Sequence, residues 1–252
     1  MVNFQKEHYS YEDMLAIMRI LRAPGGCPWD AEQTHESIRR NFLEETCEAV
    51  EAIDRQDMPA LCEELGDVLM QVIFHAQMEA EVGGFTMRDV IDGLCRKLVY
   101  RHPHVFSDVK VANSDEVLTN WEALKRQEKA QRSTADAIDA VAKTLPALWR
   151  AEKMESKAAK AGFAWPEGSD GALRKLEEEV GELRSAVESG SVDGRHGVRE
   201  EVGDVLFMAA QVAQSHGVDP EAALHAACDK FARRFRSVEG QAERVLTAAI
   251  PR

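Results

Sequence analysis

Apolar residues recur three and four positions apart along most of this 252-residue chain, and alternating stretches rich in Val, Ile and Thr are absent. That period marks helices with one buried face, and the dominant residues (Ala, Leu, Glu, Arg and Met) are good helix formers. The pattern predicts an all-α protein. Helices are expected over Tyr11–Leu21, Ser37–Arg55, Met58–Val82, Met87–Arg101, Ser114–Arg132, Leu145–Ala161, Gly171–Ser189, Arg195–His216 and Pro220–Leu246. Gly83-Gly84 and Gly217 read as helix stops, and Pro220 as a start.

The pattern also repeats. Gly26-Cys27-Pro28-Trp29 is followed by Leu43-Glu44-Glu45-Thr46-Cys47-Glu48, then Glu63-Glu64-Leu65-Gly66-Asp67, then Lys97 and Arg101. The second half answers in order with Gly162-Phe163-Ala164-Trp165, Glu178-Glu179-Val180-Gly181-Glu182, Glu200-Glu201-Val202-Gly203-Asp204, then Lys230 and Arg234. The offsets are 134 residues at Glu45/Glu179, 137 at Asp67/Asp204 and 133 at Lys97/Lys230. Matched blocks at a nearly constant offset imply two copies of one helical module. The expected layout is a first module over 1–128, a linker over 129–143 and a second module over 144–252. The copies are unequal. Copy one continues through Arg101-His102-Pro103-His104-Val105-Phe106 to a helix with Trp121 and Lys125, whereas only 18 residues follow Arg234. Copy two is therefore expected to lack that last helix.

Within each copy, carboxylates fall on shared helix faces. Glu64 and Asp67 are three apart, and at 100° per residue Gln71 and His75 continue their column. Leu65, Val68, Leu69, Val72, Ile73 and Phe74 surround that column, so the helix is expected to be buried on nearly every side. Copy two repeats the arrangement with Glu201 and Asp204, but Met208 and Val212 replace Gln71 and His75. The preceding helix adds Glu44, Glu45 and Glu48, or Glu178, Glu179 and Glu182. An antiparallel hairpin would bring four or five carboxylates together. Lysines on these faces are too few to neutralise them, and burying such charge is costly unless it holds a metal. An all-oxygen set suits Mg²⁺ or Mn²⁺. A solvated helix face explains one Glu pair but poorly explains the whole pattern occurring twice. A di-iron bundle needs E-x-x-H on two helices. Here Glu32-Gln33-Thr34-His35 lies in a loop-like segment, with no equivalent in copy two.

Charge narrows the function class. The formal net charge is −13, which argues against phosphate-neutralising nucleic-acid binding and against docking on anionic lipid. No apolar run approaches a membrane span, and the N-terminus has no signal-peptide core. Five cysteines without C-x-x-C spacing read as reduced thiols in a cytoplasmic setting.

Against this acidity, the i,i+4 pairs Lys97/Arg101 and Lys230/Arg234 are candidates for phosphate contacts, with a plain surface pair as the alternative. No Walker A sequence is present. Trp29 and Trp165 fit either a core position at a helix junction, the commoner use, or a platform for a nucleobase, and Trp121 with Lys125 has the same ambiguity. No Ser/His/Asp or Cys/His nucleophile constellation is found.

The blocks Glu44-Glu45-x-x-Glu48 and Glu64-x-x-Asp67, with Glu178-Glu179-x-x-Glu182 and Glu201-x-x-Asp204, resemble the signature of the MazG family. This family belongs to the all-α NTP-pyrophosphatase superfamily. Gly26-Cys27-Pro28-Trp29-Asp30, the Arg101–Phe106 block, and Trp121 with Lys125 extend the resemblance over nearly the whole chain. It implies Mg²⁺-dependent hydrolysis of NTPs and dNTPs to monophosphate and pyrophosphate, by a homodimer of interlocked helical bundles. Carried over by position, Glu45, Glu48, Glu64 and Asp67 would bind Mg²⁺ in copy one, and Glu179, Glu182, Glu201 and Asp204 in copy two. Lys97 and Arg101, or Lys230 and Arg234, would meet the triphosphate, with Trp121 and Lys125 at the nucleotide. Glu44, Glu45, Glu178 and Glu179 are candidates to orient the water, and spacing leaves open both the choice among them and which copy turns over. Two other functions fit the same residues: a non-catalytic nucleotide-sensing dimer, and a pyrophosphatase narrow for dUTP, dCTP or a phosphoribosyl-ATP.

Overall fold

The computed structural model describes residues 5–129, 131, 133–163 and 168–248, with 169 and 240–248 described by backbone alone. Trp165 and Arg132 lie outside the described residues. The elements are α1 (Tyr11–Arg22), α2 (Pro28–Glu32), α3 (Arg39–Asp54), α4 (Met58–Glu81), α5 (Met87–Arg101), α6 (Pro103–Phe106), α7 (Ser114–Glu128), α8 (Thr134–Asp139), α9 (Ala147–Lys160), α10 (Gly168–Ser189), α11 (Val198–Ser215) and α12 (Pro220–Ala248). No strand occurs among the described residues. None of their helices is long and apolar enough to cross a membrane.

Two compact units divide the chain at Leu124/Lys125, within α7. In the first, α3 and α4 form the principal helix pair, and α1 and α5 pack on α4. Met18, Ile38, Ile73, Phe74 and Met78 form its core. In the second, α10 and α11 pair, α9 packs on α11, and α12 touches both α9 and α11. The stretch 129–143, expected as a linker, carries α8. That helix starts with a Ser133–Asp136 capping box, packs on α9, and its neighbourhood buries Ala137 and Val141.

Local chemistry explains where the helices start. A Cβ on Gly26 would collide with the carbonyl oxygens of Ile20 and Leu21, so glycine lets the chain fold back over the end of α1. There the Cys27 N–H donates to the Leu21 carbonyl at 2.7 Å. The second copy's carboxylate hairpin is set by Gly194, at φ 97°, and Gly197, the N-cap of α11. Four starts differ from the expected ones: α9 begins at Ala147 rather than Leu145, α10 at Gly168 rather than Gly171, and α3 and α11 both begin later. Ser37 stays outside α3 because Thr34 and Ser37 exchange side-chain-to-backbone hydrogen bonds in a turn of their own. Arg195 and His196 stay outside α11, with His196 held at φ 61°.

The expectation that α4 is covered on nearly every side is corrected. Ile73, Phe74 and Ala76 are buried, but Leu65 and Leu69 are 54% and 43% exposed. At the equivalent positions of α11, Val202 and Leu206 are 39% and 49% exposed. Each copy thus presents an apolar stripe on its ExxD helix.

Candidate metal centres

In copy one, α3 supplies Glu44, Glu45 and Glu48, while α4 supplies Glu64 and Asp67. One carboxylate oxygen from each of Glu45, Glu48 and Glu64 lies within 4.8 Å of the others. No cation pairs with these three among the described residues. Burial first, then Asp67, Glu48 and Glu64, push the Glu45 carboxyl above its ordinary range. Glu64 is raised likewise by burial and by Glu48, Glu63 and Asp67. Asp67 therefore acts on the cluster electrostatically, but its oxygens are not part of the convergent set. Glu44, one residue out of phase, turns away and accepts from Arg40 Nε at 2.7 Å. A cleft of about 210 Å³ opens beside the cluster, lined by Glu48, Glu64, Asp57 and Arg55, the last paired with Glu51.

Copy two reproduces the triad with α10 and α11. Glu179, Glu182 and Glu201 place an oxygen each within 4.8 Å of one another. This cluster is the more buried, with Glu179 7% and Glu201 1% exposed. Oε2 of Glu201 is buried with no hydrogen-bond partner, a costly state for a carboxylate oxygen. Burial, Glu179 and Glu201 raise the Glu182 carboxyl, while Lys175 partly offsets them. Asp204 is exposed and outside the convergent set.

Two participants escaped the reading of the sequence. Lys175 Nζ lies 2.8 Å from both Glu178 Oε1 and Glu179 Oε1, and those carboxylates raise its ammonium. Copy two thus has one lysine on its carboxylate face, set against Glu178, Glu179, Glu182 and Glu201. Asn41 takes the place of Lys175 in copy one, at the same 134-residue offset. The i,i+4 spacing of Lys175 and Glu179 was the available signal. His196 is the other: its N–H donates to Glu200 Oε2 at 2.6 Å and its Nδ1 sits 3.3 Å from Glu201 Oε1. His196, Glu200 and Glu201 form a further convergent group sharing Glu201 with the cluster. Only the flanking glycines hinted that His196 would turn toward α11.

The basic and aromatic candidates are placed differently. Arg101 is 7% exposed, and its guanidinium lies 5.3 Å above the Trp121 ring, joining α5 to α7. Lys97 is half-buried on α5, and Lys230 and Arg234 are exposed on α12; among the described residues these three make no hydrogen bond or ion pair. Lys125, on α7 one turn beyond Trp121, is half-buried. Trp29 is 58% exposed, so it is not the core residue that a helix junction suggested.

The MazG nucleotide pyrophosphohydrolase domain matches the chain twice, over 33–106 and 168–238. Each match contains one of the two carboxylate clusters. The chain belongs to the MazG family. A nucleoside triphosphate pyrophosphohydrolase of Escherichia coli strain K12 is 44% identical over 227 residues, covering 90% of this chain and 86% of that protein. The Thermotoga maritima "nucleoside triphosphate pyrophosphohydrolase/pyrophosphatase MazG" is 41% identical over 229 residues, covering 91% of this chain and 85% of its own. A nucleoside triphosphate pyrophosphohydrolase of Mycobacterium tuberculosis is 44% identical over 153 residues, 60% of this chain and 45% of that protein. This MazG chain carries the family's domain in tandem, each copy with its two-helix carboxylate cluster.

Proposed function

We propose that this MazG protein hydrolyses nucleoside triphosphates, ribo- and deoxy-, to nucleoside monophosphate and pyrophosphate, with Mg²⁺ as cofactor and Mn²⁺ as a substitute. The carrying observation is the pair of convergent glutamate triads whose members raise one another's protonation range. Such clusters bind oxygen-seeking divalent cations, and the orphaned Oε2 of Glu201 fits a metal ligand. Glu45, Glu48 and Glu64, joined by Asp67, would hold the ion in copy one; Glu179, Glu182 and Glu201, joined by Asp204, would do so in copy two. When bound, the ion supplies a Lewis acid for phosphate oxygens and lowers the pKa of coordinated water.

The remaining roles fall to side chains. Water oxygen attacks the α-phosphorus, and the bond from that phosphorus to the α–β bridging oxygen breaks, releasing pyrophosphate. Among Glu44, Glu45, Glu178 and Glu179, the pairing of Glu44 with Arg40 favours Glu45 in copy one, and in copy two, where Lys175 pairs with both Glu178 and Glu179, membership of the convergent triad favours Glu179 as the group that orients the water. Burial, then Asp67, Glu48 and Glu64, raise the Glu45 carboxyl, the direction that strengthens a carboxylate as a proton acceptor. Lys97 with Arg101, and Lys230 with Arg234, supply charge for the triphosphate. Trp121 and Lys125 extend the nucleotide contact in copy one, where Arg101 is already stacked on Trp121. The matching stripes on α4 and α11 support a homodimer that covers them. The free cysteines, four of them exposed, fit a reducing cytoplasmic setting.

The test is product analysis. The protein is incubated with Mg²⁺ and a panel of ribo- and deoxynucleoside triphosphates, and products are resolved by ion-exchange chromatography. Monophosphate with pyrophosphate is expected from several bases, and none with excess chelator. Diphosphate with orthophosphate would overturn the bond assignment. Bound nucleotide without product would move the protein to the sensing role.

A further inference from the structure

Copy one contains a second cluster of titratable groups, away from its carboxylate triad. His35, in the turn between α2 and α3, places Nδ1 2.7 Å from Nδ1 of His75 on α4. Its other nitrogen, Nε2, lies 2.8 Å from Glu79 Oε1, one turn further along α4. The two imidazole planes differ by 3° and their centroids are 5.0 Å apart. With nitrogens only 2.7 Å apart, that spacing sets the rings edge to edge in one plane, nitrogen facing nitrogen. A metal cage is not formed, because these three residues do not converge their ligand atoms as the glutamate triads do.

Facing nitrogens at this distance have room for one proton. Either His75 donates to a neutral His35, or a protonated His35 donates to a neutral His75. In both states Glu79 accepts from Nε2 of His35. A second proton would set two N–H groups head to head and add a like charge, so the bond cannot survive it. We propose that His35, His75 and Glu79 form a one-proton clamp that ties the turn before α3 to α4 and opens on acidification. Burial, and then His35, hold the His75 imidazolium below its ordinary range.

The surrounding charges are few. From the turn comes Glu36, whose carboxyl is lowered in part by His35 and by Arg39 of α3. From α1 comes Arg22, committed to Glu81 at 2.9 Å and to the Gln33 carbonyl at 3.3 Å. From α3 the His75 ring also meets Phe42, at 5.7 Å between centroids. Arg22 and the histidine clamp are thus two ties on one turn, and the turn leads into the helix that carries Glu45 and Glu48. Copy two has Val212 at the position of His75, so the device belongs to copy one alone.

The test is NMR on the full chain with ¹⁵N-labelled histidine rings. At neutral pH the wild type should show a nitrogen–nitrogen coupling across the His35–His75 bond, lost as pH falls to about 5. In His35→Gln, the titration midpoint of His75 should rise by about one unit or more. Amide-exchange protection over residues 33–38 should fall about tenfold on acidification in the wild type. Absence of the coupling at neutral pH, a His75 midpoint unmoved by His35→Gln, or unchanged protection of 33–38 would each overturn the clamp. The wild-type coupling needs no variant, so a misfolded His35→Gln leaves the test intact.

Discussion

Glu155 on α9 is 6% exposed, and neither of its oxygens finds a hydrogen-bond partner. Burial, with a smaller push from Glu152, raises its carboxyl from 4.5 to about 8. The folded state therefore holds this proton more tightly than the unfolded chain does. Its contribution to stability is full below about 4.5 and is lost as pH rises to about 8. Melting temperature should fall across that window, and Glu155→Gln should flatten the fall, recovering up to about 5 kcal/mol at the alkaline end. A wild-type slope unchanged by Glu155→Gln would contradict the assignment. Lys175 works in the opposite sense, as the cation between Glu178 and Glu179. Lys175→Met should destabilise copy two in metal-free buffer by about 1–3 kcal/mol. Added Mg²⁺ should restore much of that loss, and calorimetry with and without the ion reads both. At this scale the spacing of E-E-x-x-E and E-x-x-D was enough to find the glutamates that converge. It could not separate Glu45 from Glu44, because rotation by one residue decides which meets α4 and which meets Arg40. Asp67 and Asp204 share the register of Glu64 and Glu201, yet their shorter side chains stay outside the convergent sets.

Among the elements, the long helices follow from apolar period and caps, and the three short ones do not. α2, α6 and α8 have four to six residues each, too few for a period to register. α8 was legible only as Ser133 with Asp136 three residues on, the capping box it forms. The apolar surround of α4 suggested burial, but hydrophobicity marks any face that will be covered, including one the chain itself leaves bare. Leu65 and Leu69 on α4, and Val202 and Leu206 on α11, are such faces. If a second copy covers them, Leu69→Glu should weaken self-association by about tenfold or more, read by sedimentation equilibrium. A wild-type chain that stays monomeric at every concentration would contradict the dimer.

For the whole molecule, the repeat was the most legible feature, because four blocks kept their order at a nearly constant offset. What it concealed is how differently the copies are equipped. Among the described residues, copy one's triad has no pairing cation, and two histidines tie α4 to the turn before α3. Copy two buries its triad more deeply, adds Lys175, and sets His196 against Glu201. Small polar exchanges between the copies carry no periodic signal, so only folded geometry brings them together. If these clusters hold the catalytic ion, the contributions of the two copies can be separated by substitution. Glu64→Gln with Asp67→Asn, and Glu201→Gln with Asp204→Asn, should each be made in the full chain. Turnover of Mg²⁺-nucleotide should then be measured on protein whose helicity is unchanged. At least one pair should lower turnover by about 100-fold or more, and that copy is the working site. Undiminished turnover in both would mean that neither carboxylate cluster holds the catalytic ion.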